Sequence, residues 1–163
     1  MSLIVPFDGS KLAEAALRKA TRFAAVFDEP ILAVTVVPVG NCAYATERGW
    51  IDDEAAFDGD AIIRGLRKQV ETLCPDASFR VERVDRYAPP GTIAKRIRRI
   101  AREEGASMVC IGSENAGRLV TSVSSVGSSV ATDDTYDVLV VRRADQTHVE
   151  TAGNATQTNG PSQ

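Results

Sequence analysis

The stretch SLIVPFDGSKLAEAALRKATRFAAVFDEPILAVTVV, residues 2–37, decides the fold. Ser2 to Phe7 is a short apolar run and reads as a buried strand. Asp8-Gly9-Ser10 is turn chemistry, and Ser10 can cap a following helix. Leu12, Ala16, Ala20, Phe23 and Phe27 recur at three- and four-residue steps, so Lys11 to Phe27 reads as a helix with one apolar stripe. Asp28-Glu29-Pro30 ends it. Ile31 to Val37 is a continuous apolar run rich in β-branched residues, as in a strand covered on both faces. A strand, a helix and a second buried strand in this order imply a right-handed crossover between parallel strands.

The pattern continues downstream. Pro38 to Phe57 is a long connection without clear periodicity, holding Tyr44, Trp50 and the acidic Asp52, Asp53 and Glu54. Connections of this length are often functional. Ile62, Ile63, Leu66, Val70 and Leu73 mark a second helix, ended by Pro75. Ser78 to Val84 alternates as a strand with one wetter face. Thr92 to Glu104 is a third helix, with Ile93, Ile97, Ile100 and Ala101 inward and Gly105 as its C-terminal cap. Ser107 to Ile111 is a fourth strand, Thr121 to Asp133 a weaker fourth helix, and Asp137 to Arg142 the last strand. The alternation gives an α/β fold with a mostly parallel sheet. Residues 1–143 form one domain, and the polar stretch 144–163 is expected to be a disordered tail.

Composition excludes several function classes. The 163 residues carry a net charge of -3, which gives no strong pull toward nucleic acid or anionic membrane. No apolar run reaches the about 18 residues that a membrane span needs. The N-terminus lacks the basic region and long apolar core of a signal peptide, so the expected location is the cytoplasm. Cys42, Cys74 and Cys110 have neither metal-ligand nor redox spacing, and Cys110 reads as a small buried hydrophobe. The single histidine, His148, lies in the polar tail, which removes His-based catalysis and His-based zinc sites from the domain.

VPFDGS at residues 5–10, the A-x-x-A-L spacing of the first helix, REEGASMVCIGSENAG at 102–117 and DVLVVRR at 137–143 together resemble the universal stress protein family. The matches span residues 2 to 143. The resemblance implies a Rossmann-like fold of the adenine-nucleotide alpha-hydrolase type, with a single five-stranded parallel sheet in strand order 3-2-1-4-5 and helices on both faces. It also implies a stress-response homodimer joined through the last strand, here Val138, Leu139, Val140, Val141 and Arg142.

Many family members bind ATP, with magnesium, through a loop of the form Gly, two residues, Gly, nine residues, Gly, then Ser or Thr. Glycines let a backbone approach phosphate, and free N–H groups at a helix start hold the anion. Gly112 and Ser113 begin such a loop here, but Asn115 stands where the second Gly belongs. If Gly117 is that Gly, the spacing leads to Gly127. In the preferred register Ser124, Ser125 and Val126 stand at the final Gly-Ser-Val, which keeps the fourth helix at normal length. By this reading a branched side chain at Gly112 fills the phosphate approach and leaves the fold intact. The resemblance also places Pro6, Asp8 and Val36 at the nucleoside, Val36 through its backbone. Asp8 is equally explained as a turn residue before a capped helix.

Two functional readings stand. One is a nucleotide-responsive regulator acting by partner contacts, with ATP across the Asp8 turn and the degenerate loop. The alternative is a nucleotide-free dimeric interaction module without a small-molecule ligand. No catalytic residues are legible, and the most the residues allow is a slow ATPase. The Ser-rich run 122–129 reads as helix-capping rather than as a phosphorylation site. The acidic 52–54 cluster reads as solvated loop rather than metal site. The basic outer face of the third helix, Lys95, Arg96, Arg98, Arg99 and Arg102, reads as a solvated face and not as a nucleic-acid surface, since only Tyr87 is near to stack a base.

Overall fold

The computed structural model describes residues 1–52, 55–89, 91–114 and 135–144. Its strands are β1 (Ser2–Pro6), β2 (Ile31–Val39), β3 (Ser78–Asp85), β4 (Ala106–Gly112) and β5 (Asp137–Val141). They form one parallel sheet in the order β3-β2-β1-β4-β5. The helices are α1 (Lys11–Phe27), α2 (Cys42–Glu47), α3 (Gly59–Leu73) and α4 (Thr92–Glu103). The architecture and strand order match the sequence reading. The expected fourth helix, 121–133, and the polar tail beyond residue 144 lie outside the described residues. No helix among the described residues is long and apolar enough to cross a membrane.

β1 is the middle strand, and all five of its residues are buried. Its side chains alternate between two cores. Leu3 and Val5 pack with Ala13, Ala16, Leu17 and Ala20 of α1 and with Ile62, Leu66 and Val70 of α3. Ile4 packs on the other face with Val34, Val36 and the α4 residues Ala94, Ile97, Ile100 and Ala101. The sheet is thus covered on both sides, which is why β1, β2 and β4 are mostly apolar, with Ser2, Thr35 and Ser107 as their polar side chains. β3 is an edge strand, and its mixed burial follows from that position.

Caps bound the first helix. Ser10 Oγ accepts a hydrogen bond from the Ala13 N–H at 3.1 Å, and the chain leaves α1 through Asp28 in left-handed conformation, φ 56°. Four buried alanines, Ala13, Ala15, Ala16 and Ala20, let α1 lie close to the strands. Gly112, at the end of β4, is part of that approach. A Cβ placed on Gly112 would stand 2.8 Å from Leu12 Cβ and 3.0 Å from the Leu12 carbonyl carbon.

β2 runs two residues past its expected end, through Pro38 to Val39. A proline fits there because the sheet has a step. β1 pairs with β2 only as far as Pro6 opposite Val34. The Val34 carbonyl points toward β1, accepting from the Phe7 N–H at 2.8 Å. By the two-residue period of a strand, residues 36 and 38 turn their backbone groups the same way. Among the described residues no strand stands on that side beyond Val34, so the missing N–H of Pro38 breaks no ladder bond among them. The same step leaves the Val36 backbone facing a gap above the end of β1.

Candidate functional site

In an open parallel sheet the ligand crevice lies beyond the carboxyl ends of the strands, where the strand order reverses. Here β2 and β3 lie on one side of β1, and β4 and β5 on the other, so that point falls between the ends of β1 and β4. Pro6, Asp8 and Gly112 stand there. A cavity of about 50 Å³ opens at the place, floored by Pro6, Val36, Ile93, Ala94, Ile97 and Ile111. The floor is apolar because even-numbered β1 and β2 residues face α4.

The Asp8 turn is held from several directions. Asp8 Oδ1 accepts a hydrogen bond from the Ser10 N–H at 3.0 Å, which is the turn role read in the sequence. Gly9 has φ 84°, a conformation that favours glycine, and its carbonyl accepts from Gln69 Nε2 of α3 at 3.1 Å. Thr35 Oγ1, buried beneath, donates to the Phe7 carbonyl at 2.6 Å. Trp50 Nε1 donates to the Asp8 carbonyl at 2.7 Å. The second carboxylate oxygen of Asp8 faces Arg48, whose Nε lies 3.6 Å away.

Two of these side chains, Arg48 and Trp50, come together with Tyr44 from 38–57, the stretch expected from the sequence to be a connection without periodicity. That expectation is corrected: 38–57 contains the end of β2 and the short helix α2. Asn41 caps α2, its Oδ1 accepting from the Tyr44 N–H at 2.9 Å. Six residues are too few to show a helical repeat, so the signal the sequence carried was Asn41 as a cap residue. Tyr44 meets Trp50 edge-on, with ring centroids 5.6 Å apart, and the Arg48 guanidinium carbon sits 4.3 Å from the Tyr44 centroid. Tyr44 and Ile93 also line a second cavity of about 180 Å³, between the ends of β2 and β3 and the start of α4.

Of the sequence candidates, Pro6, Asp8 and Val36 meet in the first cavity. Gly112 is buried at the end of β4, and Ser113 follows it half-buried. Gly117, Ser124, Ser125, Val126 and Gly127 lie outside the described residues, as does Asn115. The reason given for Gly112 is corrected. The space it leaves is taken by α1 at Leu12, so a branched residue there would disturb the fold itself.

The other groups weighed in the sequence have structural accounts. On the basic face of α4, Arg99 pairs with Glu82 at 2.8 Å and with Glu103 at 3.3 Å. Arg80 joins them through Glu82, Glu103 and Glu104. Cys110 is fully buried in β4, and burial pushes its thiol from 9.0 up to about 11. Among the described residues no three His, Cys, Asp or Glu side chains gather as a metal site. Asp53 and Glu54 of the acidic cluster lie outside the described residues.

Among solved structures, similar folds include a universal stress protein in complex with cAMP, at 23% identity and TM-score 0.50, covering 87% of this chain and 96% of that one. A universal stress protein from Archaeoglobus fulgidus in complex with dAMP matches at 20% identity and TM-score 0.53, covering 87% and 98%. One from Lactobacillus plantarum matches at 20% identity and TM-score 0.50, covering 87% and 97%. These likenesses establish the fold. Among curated proteins no sequence match is found. The family model of the universal stress protein family matches residues 1–142, nearly the whole of the domain read from the sequence. Strand order, the Asp8 turn, the strand ending in Gly112 and this match agree, and the chain belongs to the universal stress protein family.

Proposed function

We propose that this protein binds an adenine nucleotide at the ends of β1, β2 and β4, and that occupancy alters its contacts with partners. The observation that carries the reading is the placement of Asp8. Its carboxylate stands at the reversal point of the sheet, over an apolar floor, beside a strand whose Val36 backbone groups face the same gap. A carboxylate suits ribose hydroxyls, an apolar shelf suits a purine, and free backbone donors and acceptors suit its edge. The cAMP and dAMP complexes of the two similar structures support an adenine nucleotide as the ligand class. ATP with magnesium is the fuller form of the proposal, with Ser113 and the 117–127 candidates toward the phosphates. The chain acts as a cytoplasmic stress-response homodimer in this reading. β5 is an edge strand with Val138 38% exposed, which suits pairing through Val138 to Arg142.

Calorimetry with ATP, ADP and AMP tests the ligand. The wild type is expected to bind, and Asp8→Ala to bind at least about tenfold more weakly, a loss of about 1.4 kcal/mol. Equal affinities in the two proteins would remove Asp8 from the site. Light scattering tests the dimer, with twice the chain mass as the expected result and the chain mass as the contrary one.

One observation favours the nucleotide-free alternative. At about 50 Å³ the cavity is well below the about 150 Å³ of an apolar cavity that takes a benzene ring, so a purine does not fit it as it stands. A base therefore needs Tyr44 and Arg48 to move, opening the first cavity toward the second. If calorimetry shows no nucleotide uptake, the alternative takes precedence.

A further inference from the structure

The Arg48 side chain is built into the crevice against Tyr44 and beside Asp8. Its Nε is buried and has no hydrogen-bond partner, since Asp8 Oδ2 at 3.6 Å is beyond bonding reach. The pair with Asp8 offsets the charge, but a buried N–H that makes no hydrogen bond is unfavourable, and an acceptor on a ligand would complete it. The guanidinium is not adrift. Its Cζ lies 4.3 Å from the Tyr44 ring centroid, Trp50 meets Tyr44 edge-on, and Trp50 is itself hydrogen-bonded to the Asp8 carbonyl at 2.7 Å. Among the described residues that line the Asp8 cavity, Arg48 is the only cation.

Resting on the nucleotide reading above, we propose that Arg48 is a specificity-determining residue that binds a phosphate attached to the same ribose that Asp8 holds. A cation 3.6 Å from the sugar-binding carboxylate lies within one sugar's reach of it. The phosphate within that reach is the one esterified to that sugar, whether 5′-linked or 3′,5′-cyclic. A guanidinium offers paired donors to phosphate oxygens in a planar fork, and phosphate supplies the acceptor that the Nε lacks. The glycine pattern of the phosphate loop is incomplete in this sequence, with Asn115 and Ser124 standing at glycine positions in the preferred register. Arg48 shifts the recognition of charge from the far end of the nucleotide to its sugar end. The site then selects a nucleoside monophosphate over the bare nucleoside, and further phosphates add little.

The single tryptophan, Trp50, reports on the site directly. Adenosine, AMP, cyclic AMP and ATP are titrated into the full chain while its fluorescence is followed, with wild type, Arg48→Gln and Arg48→Lys. The expected wild-type preference for AMP or cyclic AMP over adenosine is about tenfold or more, and the better of the two identifies the linkage. Arg48→Gln is expected to erase that preference while adenosine affinity stays within about threefold, and Arg48→Lys to retain part of it. An unchanged preference in Arg48→Gln would overturn the proposal, as would an equal loss for adenosine and AMP, which marks a structural role. If Arg48→Gln does not fold, Arg48→Lys decides, and a preference equal to that of the wild type overturns the proposal. Wild type that binds none of the four ligands removes the nucleotide reading as well. Binding of AMP with an unaltered preference in the variants removes only the role of Arg48.

Discussion

Replacing Gly112 with alanine tests the junction between α1 and β4. The new Cβ would meet Leu12 Cβ at 2.8 Å, its carbonyl carbon at 3.0 Å and its carbonyl oxygen at 3.2 Å. Carbon pairs rest at about 3.5–4.0 Å, so the shortest contact falls roughly 0.7 Å short. Two of the three atoms are helix backbone, which no rotamer change can move aside. Relief requires α1 to shift on the sheet, against the packing of Ala13, Ala16 and Leu17. Overpacking of this kind costs about 1–3 kcal/mol. At about 3 °C per kcal/mol for a domain of this size, the melting temperature should fall by roughly 3–9 °C. Circular dichroism on heating measures it, with a urea midpoint as a second reading. Gly112→Val should be worse, because it adds two methyl groups at the same place. A melting temperature within about 1 °C of wild type for Gly112→Ala would refute the packing argument. It would also return Gly112 to the role of a phosphate-approach glycine.

Other expectations follow from single contacts. Thr35→Val keeps the shape of a buried side chain but removes the 2.6 Å hydrogen bond to the Phe7 carbonyl, and should destabilise by about 1–2 kcal/mol in urea unfolding. Asp28→Gly should stabilise by up to about 1 kcal/mol in the same assay, because φ 56° is a conformation that glycine adopts freely. The exposed Cys42 should react quickly with a thiol reagent while the buried Cys74 and Cys110 stay protected, giving one fast thiol among three. Cys110 adds a pH dependence. Below pH 9.0 the thiol is neutral in both states; above it the unfolded chain ionises while the native thiol, at about 11, stays protonated. Stability should therefore fall as pH rises from 9.0 toward 11, and comparing urea midpoints at about pH 8 and about pH 10 for wild type and Cys110→Ala isolates that part.

The sheet was legible in the sequence because its physics is local. A run such as Ile31 to Val37, apolar at all positions but Thr35, fits a strand whose two faces are both covered, and the Leu12 to Phe27 stripe shows a single period. Pro38 hid the end of β2, since its tolerance depends on how far β1 extends beside it, which no local pattern states. The site was half legible. Pro6, Asp8 and Val36 were named through the family resemblance, and β1 and β2 bring them to one cavity. Tyr44, Arg48 and Trp50 could not be placed there, because α2 is too short for a period and its contact with the Asp8 turn spans some forty residues of chain, as in the Trp50 to Asp8 bond at a separation of 42. Gly112 shows a different limit. The sequence marks a glycine, but whether a ligand or a neighbouring helix claims the space is decided in three dimensions.

The most direct test of the account is the nucleotide content of the protein itself. The chain is purified gently and denatured, and the released small molecules are separated by anion exchange against nucleotide standards. The account predicts adenine nucleotide near one per chain, or its uptake when nucleotide is added to the empty protein, and a strong reduction of either in Asp8→Ala. An empty protein that also takes up no added nucleotide would contradict the account.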